Sequence, residues 1–100
     1  MPKLITVQVD GDVDTFKRSL TERETEYRQI AERARAAGAL HHRFGAGDGF
    51  ILIADEWQTL EQFEAFFGDA SLHQFIKEVG GNPDTAEVIV TDALVTPDQF

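Results

Sequence analysis

The three histidines are the side chains of this sequence best suited to move protons near neutral pH. His41 and His42 are neighbours in the chain, and His73 stands apart from them. The chain contains no cysteine, which excludes thiolate nucleophiles, disulfides and iron–sulfur clusters. An imidazole can act as a general base toward a phenol or a quinol. His41 and His42 are therefore candidate catalytic residues, the alternative for each being a half-buried, hydrogen-bonded histidine.

Adjacent residues on a strand point to opposite faces of the sheet, so His41 and His42 cannot serve the same pocket. Leu40, His42 and Phe44 form the more apolar row of their strand, which favours His42 toward the helices and His41 toward the other face. The pair cannot chelate one metal ion through one pocket. The histidines also lack H-x-x-x-H and H-E-x-x-H spacing, so we predict no metal site.

Aromatic residues on the predicted helices, and one at the end of a strand, offer a lining for an apolar pocket. Tyr27, Trp57, Phe66 and His73 are the candidate substrate-binding residues. Each has a simpler alternative. Tyr27 would be a core tyrosine, Trp57 a packing anchor, Phe66 part of the core and His73 an exposed helix residue.

The strands are predicted from apolar alternation and β-branched residues. Residues 3–9 alternate with period two, and the strand predicted at 50–57 begins with the unbroken apolar run 50–54, which indicates cover on both faces. A turn with three glycines at 45–49 joins this run to a strand at 39–44. The last strand is predicted at 86–95, after a loop at 82–84 and before a tail at 96–100.

The helices are predicted from apolar spacing of three and four residues. The first layer reads as a helix at 13–19 and a longer one at 22–37, with Thr21 and Glu24 forming a capping box. One bent helix is the alternative. Gly38 ends this layer. Thr59 caps the second layer with Gln62, and a second piece over 72–79 follows an interruption at 68–69.

The order β-α-β-β-α-β predicts an α+β, ferredoxin-like fold in a single domain over residues 1–100. Its four-stranded antiparallel sheet would carry the helices on one face. The other face would expose Leu4 and either Leu40 or Val95. Since that face is too apolar to remain in water, we expect a second copy to cover it, giving a homodimer whose sheets form a shared α/β barrel.

The balance of charge disfavours polyanionic partners. Nine Lys and Arg against 18 Asp and Glu give a net charge of −9, so neither nucleic acid nor an anionic membrane is an expected partner. No stretch is apolar for long enough to span a bilayer, and the first residues do not form a signal peptide. We therefore expect a cytoplasmic protein.

Three segments resemble the dimeric α/β-barrel superfamily that contains the antibiotic-biosynthesis monooxygenases. They are residues 38–44, residues 53–67, and residues 72–80 with the loop and strand that follow. The likeness covers most of residues 1–95 and is nearest to small uncharacterised members of actinobacterial type. The resemblance implies the ferredoxin-like fold and a dimer. It does not identify a single activity, because this fold is used for many different reactions.

The resemblance implies two kinds of chemistry. Some members oxidise anthrone-like or quinol-like aromatics with oxygen and no cofactor, and others bind and degrade haem. The haem-degrading members use an Asn, a Trp and an axial His. The positions that correspond to these three residues are Val7, Phe66 and Phe75, so this sequence has none of the three.

The sequence and the resemblance therefore indicate two candidate functions. The first is a cofactor-independent monooxygenase for a small aromatic substrate, with His41 or His42 as the base. The alternative is a non-catalytic module that binds an apolar ligand or only dimerises. A pocket of several hundred Å³ with a histidine in its wall favours the enzyme, and a filled interior favours the module.

Overall fold

The computed structural model describes residues 1–100, which form four strands and four helices. In chain order they are β1 (Lys3–Gly11), α1 (Val13–Glu22), α2 (Glu24–Ala37), β2 (Ala39–Ala46), β3 (Phe50–Trp57), α3 (Leu60–Phe67), α4 (Ala70–Glu78) and β4 (Gly81–Asp92). The strands make one antiparallel sheet in the order β2-β3-β1-β4. This is the predicted ferredoxin-like arrangement, with each helical layer divided in two. No helix is long and apolar enough to cross a membrane.

The register of the sheet decides which side chains meet the helices. Ile5, Val7 and Val9 of β1 are buried beneath the helical layer. Val7 pairs with Ile53 and Ile5 pairs with Asp55, which places alternate residues of β3 on the same side. The core collects there, on one face of the sheet. Its nine buried hydrophobic residues are Ile5, Val7, Val9, Phe16, Ala39, Ile51, Trp57, Phe63 and Val79.

The helix boundaries confirm most of the predicted helix start and stop signals. Gly38 follows α2 with a φ of 123°, a backbone conformation that favours glycine, and a Cβ there would meet the Gln62 side chain at 2.5 Å. Thr59 and Gln62 form the predicted capping box of α3. The capping box predicted at Thr21 is wrong, because Thr21 lies inside α1. The helices are separated at Arg23 alone, which caps α2 without a side-chain hydrogen bond.

The last strand lies earlier in the chain than predicted. Residues 82–84, predicted as a loop, belong to β4, and residues 93–95 lie beyond it. β4 is an edge strand, where Pro83 costs no ladder hydrogen bond on the solvent side, and the pairing shifts register between Gln8 and Asp10. The strand ends at Asp92 because its partner Lys3 is the first residue of β1.

The face of the sheet turned away from the helices, here called the open face, carries exposed apolar side chains. Leu4 and Ile89 are 49% and 63% exposed. The register places them on the side opposite the core, since their neighbours Ile5 and Val88 lie on the helix side. Of the predicted members, Leu4 is on this face, whereas Leu40 lines the space under the helices and Val95 lies outside the strand.

Arg23 joins the junction of α1 and α2 to α4. Its guanidinium donates two hydrogen bonds to Glu26, at 2.7 and 2.6 Å, and lies 2.8 Å from Oε1 of Glu78. It also lies 4.6 Å from the centre of the Phe75 ring, a cation–π contact. The hydrogen bond from Arg23 lowers the pKa of Glu26. Hydrogen bonds from Gln74 and then Arg23 lower the pKa of Glu78.

We expect Arg23→Gln to lower the melting temperature near neutral pH and to lose this effect in acid. Carboxylates with a lowered folded pKa contribute stability above their unfolded pKa, about 4.3 for glutamate, and lose it as the pH falls through the lowered value. Circular dichroism melts of wild type and variant at several pH values measure the difference. Arg28→Gln is the control, since Arg28 reaches only Glu24, at 3.4 Å on the surface. A deficit that stays constant down to about pH 3 would contradict the charge argument.

Candidate functional site

The helices stand off the sheet and leave a cavity of about 450 Å³ that is partly open to solvent. Neither α2 nor α4 contains a fully buried residue, since the apolar sides of both helices border this space. The interior is therefore not filled, which meets the condition that favours a ligand or substrate site over a purely structural module.

The cavity wall is apolar except at one place. Of its 24 lining residues 20 are hydrophobic, and the four that are not are Arg35, His41, His42 and Asp55. They come from adjoining elements: the last turn of α2, the start of β2 and the end of β3. We call these four residues the polar end. An apolar pocket with a few convergent polar groups is the usual form of a small-molecule site.

His42 and Asp55 form a hydrogen-bonded pair at the polar end. His42 lies opposite Asp55 in the β2–β3 ladder, and its Nδ1 is 2.6 Å from Oδ1 of Asp55. A carboxylate only accepts, so Nδ1 carries the proton and donates it. The other ring nitrogen, Nε2, makes no hydrogen bond to the protein. In neutral His42 this leaves Nε2 as the basic nitrogen.

Trp57 fixes the carboxylate that orients His42. Its indole Nε1 donates to Oδ2 of Asp55 at 3.0 Å, and the side chain is only 1% exposed. Asp55 and Trp57 are two residues apart on β3 and so share the helix side of the sheet. Each Asp55 oxygen thus has one donor. The strand period and the cross-strand register together build a Trp57–Asp55–His42 chain in the cavity wall.

Tyr27 lines the cavity with its ring, while its hydroxyl is engaged elsewhere. The Ser19 hydroxyl donates to the Phe16 carbonyl at 2.6 Å, so the Tyr27 hydroxyl, 2.7 Å from Ser19, is the donor to it. Burial raises the pKa of Tyr27, with the Ser19 hydrogen bond opposing the shift. The Tyr27 hydroxyl is therefore satisfied by Ser19. Because its pKa is raised, Tyr27 stays neutral at physiological pH.

The structure brings most of the predicted site residues together. The register confirms that His42 faces the helices and His41 the other side. His41 still contributes to the cavity wall, because a register shift between Ala39 and His41 distorts the edge strand there, so the prediction that only one of the pair reaches the pocket is wrong. Trp57 and Phe66 line the cavity, with ring centres 5.5 Å apart.

His73 does not line the cavity, contrary to the prediction. Its Nε2 lies 2.7 Å from the carbonyl oxygen of Phe67, and its ring rests against that side chain with the centres 5.7 Å apart. It acts as a local link between α3 and α4. No group of three or more His, Cys, Asp or Glu side chains comes together anywhere in the structure.

Asp55 is the functional residue that the sequence analysis missed. The unbroken apolar run before Asp55 is typical of a strand covered on both faces. It conceals the period-two row of Ile51, Ile53, Asp55 and Trp57. A carboxylate on the buried row of a strand was the available signal, since such a group requires partners. Arg35 gave no such signal, because arginines that stand among acidic residues on a helix, as Arg28, Arg33 and Arg35 do, are typical of a solvated face.

Solved structures share this architecture closely. A monooxygenase from the ActVA-Orf6 gene of Streptomyces coelicolor, solved with the ligand nanaomycin D, superposes with a TM-score of 0.65 at 16% identity, covering 96% of this chain and 92% of that one. A structure described as an antibiotic biosynthesis monooxygenase gives 0.60 at 17%, covering 95% and 100%. The chain has the same ferredoxin-like α+β fold as these monooxygenase structures.

Another structure with this fold comes from a cofactor-independent oxygenase. SnoaB from Streptomyces nogalater superposes with a TM-score of 0.58 at 11% identity, covering 98% of both chains. No protein-family model and no curated protein matches the sequence. The likeness to the monooxygenase fold is thus one of architecture, and the chemistry of this chain has to be argued from its own cavity.

The residues that the sequence resemblance aligns with a haem site do not fit haem. Val7 is fully buried in the core and supplies no amide. Phe75, at the axial position, packs its ring against Tyr27 with the centres 5.1 Å apart. The nearby His73 is bound to the Phe67 carbonyl and lies outside the cavity wall.

Proposed function

We propose that this protein is a cofactor-independent oxygenase that acts on a small aromatic substrate of the quinol or anthrone type. The observation that carries the proposal is the His42–Asp55 pair in the wall of a large aromatic-lined cavity. A volume of about 450 Å³ lies within the range of small-molecule sites, roughly 300–1,000 Å³. The named activity of SnoaB, which shares the fold, is consistent with it.

The reaction needs a base and an electron-rich carbon, and dioxygen as the oxidant. Nε2 of His42 takes a proton from the ring methylene of an anthrone, and the resulting enolate is a strong one-electron donor. It reduces dioxygen to superoxide, and the two radicals combine to form the carbon–oxygen bond. The proton held by His42 returns to the peroxide. Loss of the second methylene proton then breaks the oxygen–oxygen bond, giving the ketone and one water for each dioxygen consumed.

The surrounding residues supply what the base alone lacks. Asp55 keeps the proton on Nδ1 and stabilises the imidazolium that forms when Nε2 is protonated. With substrate bound, the apolar wall keeps water from the parts of the ring system that it covers, which limits protonation of the enolate there. The Phe66 ring, partly exposed in the cavity wall, offers a flat face for a polycyclic substrate, and the buried Trp57 ring supports it from behind at 5.5 Å between centres.

Oxygen uptake with anthrone as the substrate tests the proposal. The expected result is enzyme-dependent consumption of one dioxygen per anthraquinone formed, with label from ¹⁸O₂ in the new carbonyl and no release of hydrogen peroxide. Binding is followed independently through Trp57, the only tryptophan of the chain. Saturable binding without oxygen uptake would overturn the oxygenase and favour a module that binds apolar ligands.

We propose further that two copies associate through their open faces. Leu4 and Ile89 lie at 49% and 63% exposure on a sheet face without helices, and a second copy of the same face is the simplest cover for it. Each sheet would then be covered on both sides, by helices and by its partner.

Light scattering should give twice the chain mass of 11.2 kDa at micromolar concentration. Ile89→Lys should halve that mass, since it places a charge within the proposed contact. Val88→Lys is the matched control, because Val88 is the adjacent residue on the opposite side of β4 and is 44% exposed. A wild-type monomer, or equal effects of both substitutions, would refute the open-face contact.

A further inference from the structure

Arg35 is the one cationic side chain with a permanent charge in the cavity wall. It lies in the last turn of α2, which leads directly into β2, and the Gly38 amide donates to its carbonyl at 3.2 Å. Arg35 is exposed to solvent, and it borders the same cavity as His41 and His42 of the following strand. An apolar cavity that keeps an arginine at its polar end has a means of recognising a charged group.

The other charges of the polar end are already matched. Asp55 accepts from His42 and from Trp57, so neither of its oxygens needs Arg35. The ion pairs of the chain engage Lys3, Arg23, Arg28 and His42, and none includes Arg35. Its side chain also makes no hydrogen bond to the protein. In a chain with twice as many acidic as basic residues, this arginine is left without an acidic partner.

We infer that Arg35 selects aromatic ligands that carry a carboxylate. This deepens the proposed function and rests on it, since it specifies which aromatic molecules the cavity admits. A guanidinium matches a carboxylate with two parallel hydrogen bonds, whereas the rest of the wall offers only apolar and aromatic surface. The aromatic body lies among the phenylalanines, and the carboxylate lies at Arg35.

Such an anchor also orients the substrate for the base. Because Arg35 and His42 line the same cavity, a carboxylate held at Arg35 would fix which part of the ring system faces His42. The net charge of −9 does not cancel this attraction, since fields from distant charges are screened over about 8–10 Å at physiological salt. The local charge at the rim dominates.

Binding of two probes that differ in one charge tests the inference. Anthraquinone-2-carboxylate and anthraquinone-2-carboxamide have nearly the same shape, and each is titrated against the fluorescence of Trp57 with correction for ligand absorption. Wild type should bind the carboxylate about three- to fivefold more tightly than the amide, as expected for a solvent-exposed charged contact. The preference should weaken as salt is raised.

Arg35→Gln should reduce the ratio of the two affinities to about one by weakening the carboxylate alone. Arg33→Gln is the matched control, because Arg33 lies on the same helix outside the cavity wall and should keep the wild-type ratio. Equal affinities in wild type, or a preference that survives Arg35→Gln, would overturn the role of Arg35 and leave the cavity as a neutral aromatic site. Failure of both probes to bind would overturn the cavity proposal itself.

Discussion

Replacing His42 with glutamine should lower the rate of oxygen uptake on anthrone by about 10²- to 10⁴-fold, the usual contribution of a positioned general base. Glutamine retains a hydrogen-bond donor that can reach Asp55 but has no nitrogen that accepts a proton near neutral pH. The cavity keeps its shape, so the affinity of an anthraquinone probe, measured through Trp57, should change much less than the rate. The loss thus belongs to the chemical step.

His41→Gln is the matched control for this experiment. His41 is the neighbouring residue and also borders the cavity, but it makes no hydrogen bond to a carboxylate. Its substitution should lower the rate far less than His42→Gln does, because no proton transfer passes through it. Equal and mild effects of the two substitutions would remove the general base from the proposed mechanism.

The orientation of His42 could be predicted because a strand has a period of two. The more apolar row of β2 is the row that the core selects, and the fully buried Val7 and Val9 of β1 confirm where that core lies. The same reasoning applied to β3 would have placed Asp55 beside His42. It failed there because Leu52 and Ala54 are also apolar, which concealed the alternation.

The cavity could not be predicted from the sequence. The same apolar spacing in α2 and α4 is compatible with a filled core and with helices that stand off the sheet, because periodicity gives the direction of a side chain and not the distance to the opposite wall. The β4 boundaries failed for a related reason. They depend on where β1 begins and on a register shift at an edge, and both are properties of the partner strand.

Asp55→Asn should abolish most of the activity while the fold is retained. An asparagine has the same size and can still accept the Trp57 indole hydrogen bond through its carbonyl oxygen. Its amide group then faces Nδ1 of His42 and donates to it, which places the imidazole proton on Nε2. The nitrogen that should act as the base is thereby occupied. In a serine protease the analogous change lowers the rate by about 10⁴-fold, so we expect a loss of about 10²-fold or more here.

Stability and tautomer measurements separate this role from a merely structural one. The free energy of unfolding of Asp55→Asn should lie within about 1 kcal/mol of the wild-type value, since its hydrogen bonds are replaced. Asp55→Leu leaves the buried Trp57 N–H without an acceptor and should lower the free energy of unfolding by about 1–3 kcal/mol. Nitrogen NMR of His42 should show the proton on Nδ1 in wild type and on Nε2 in Asp55→Asn. An Asp55→Asn protein with the exchanged tautomer and full activity would show that Nε2 of His42 is not the base.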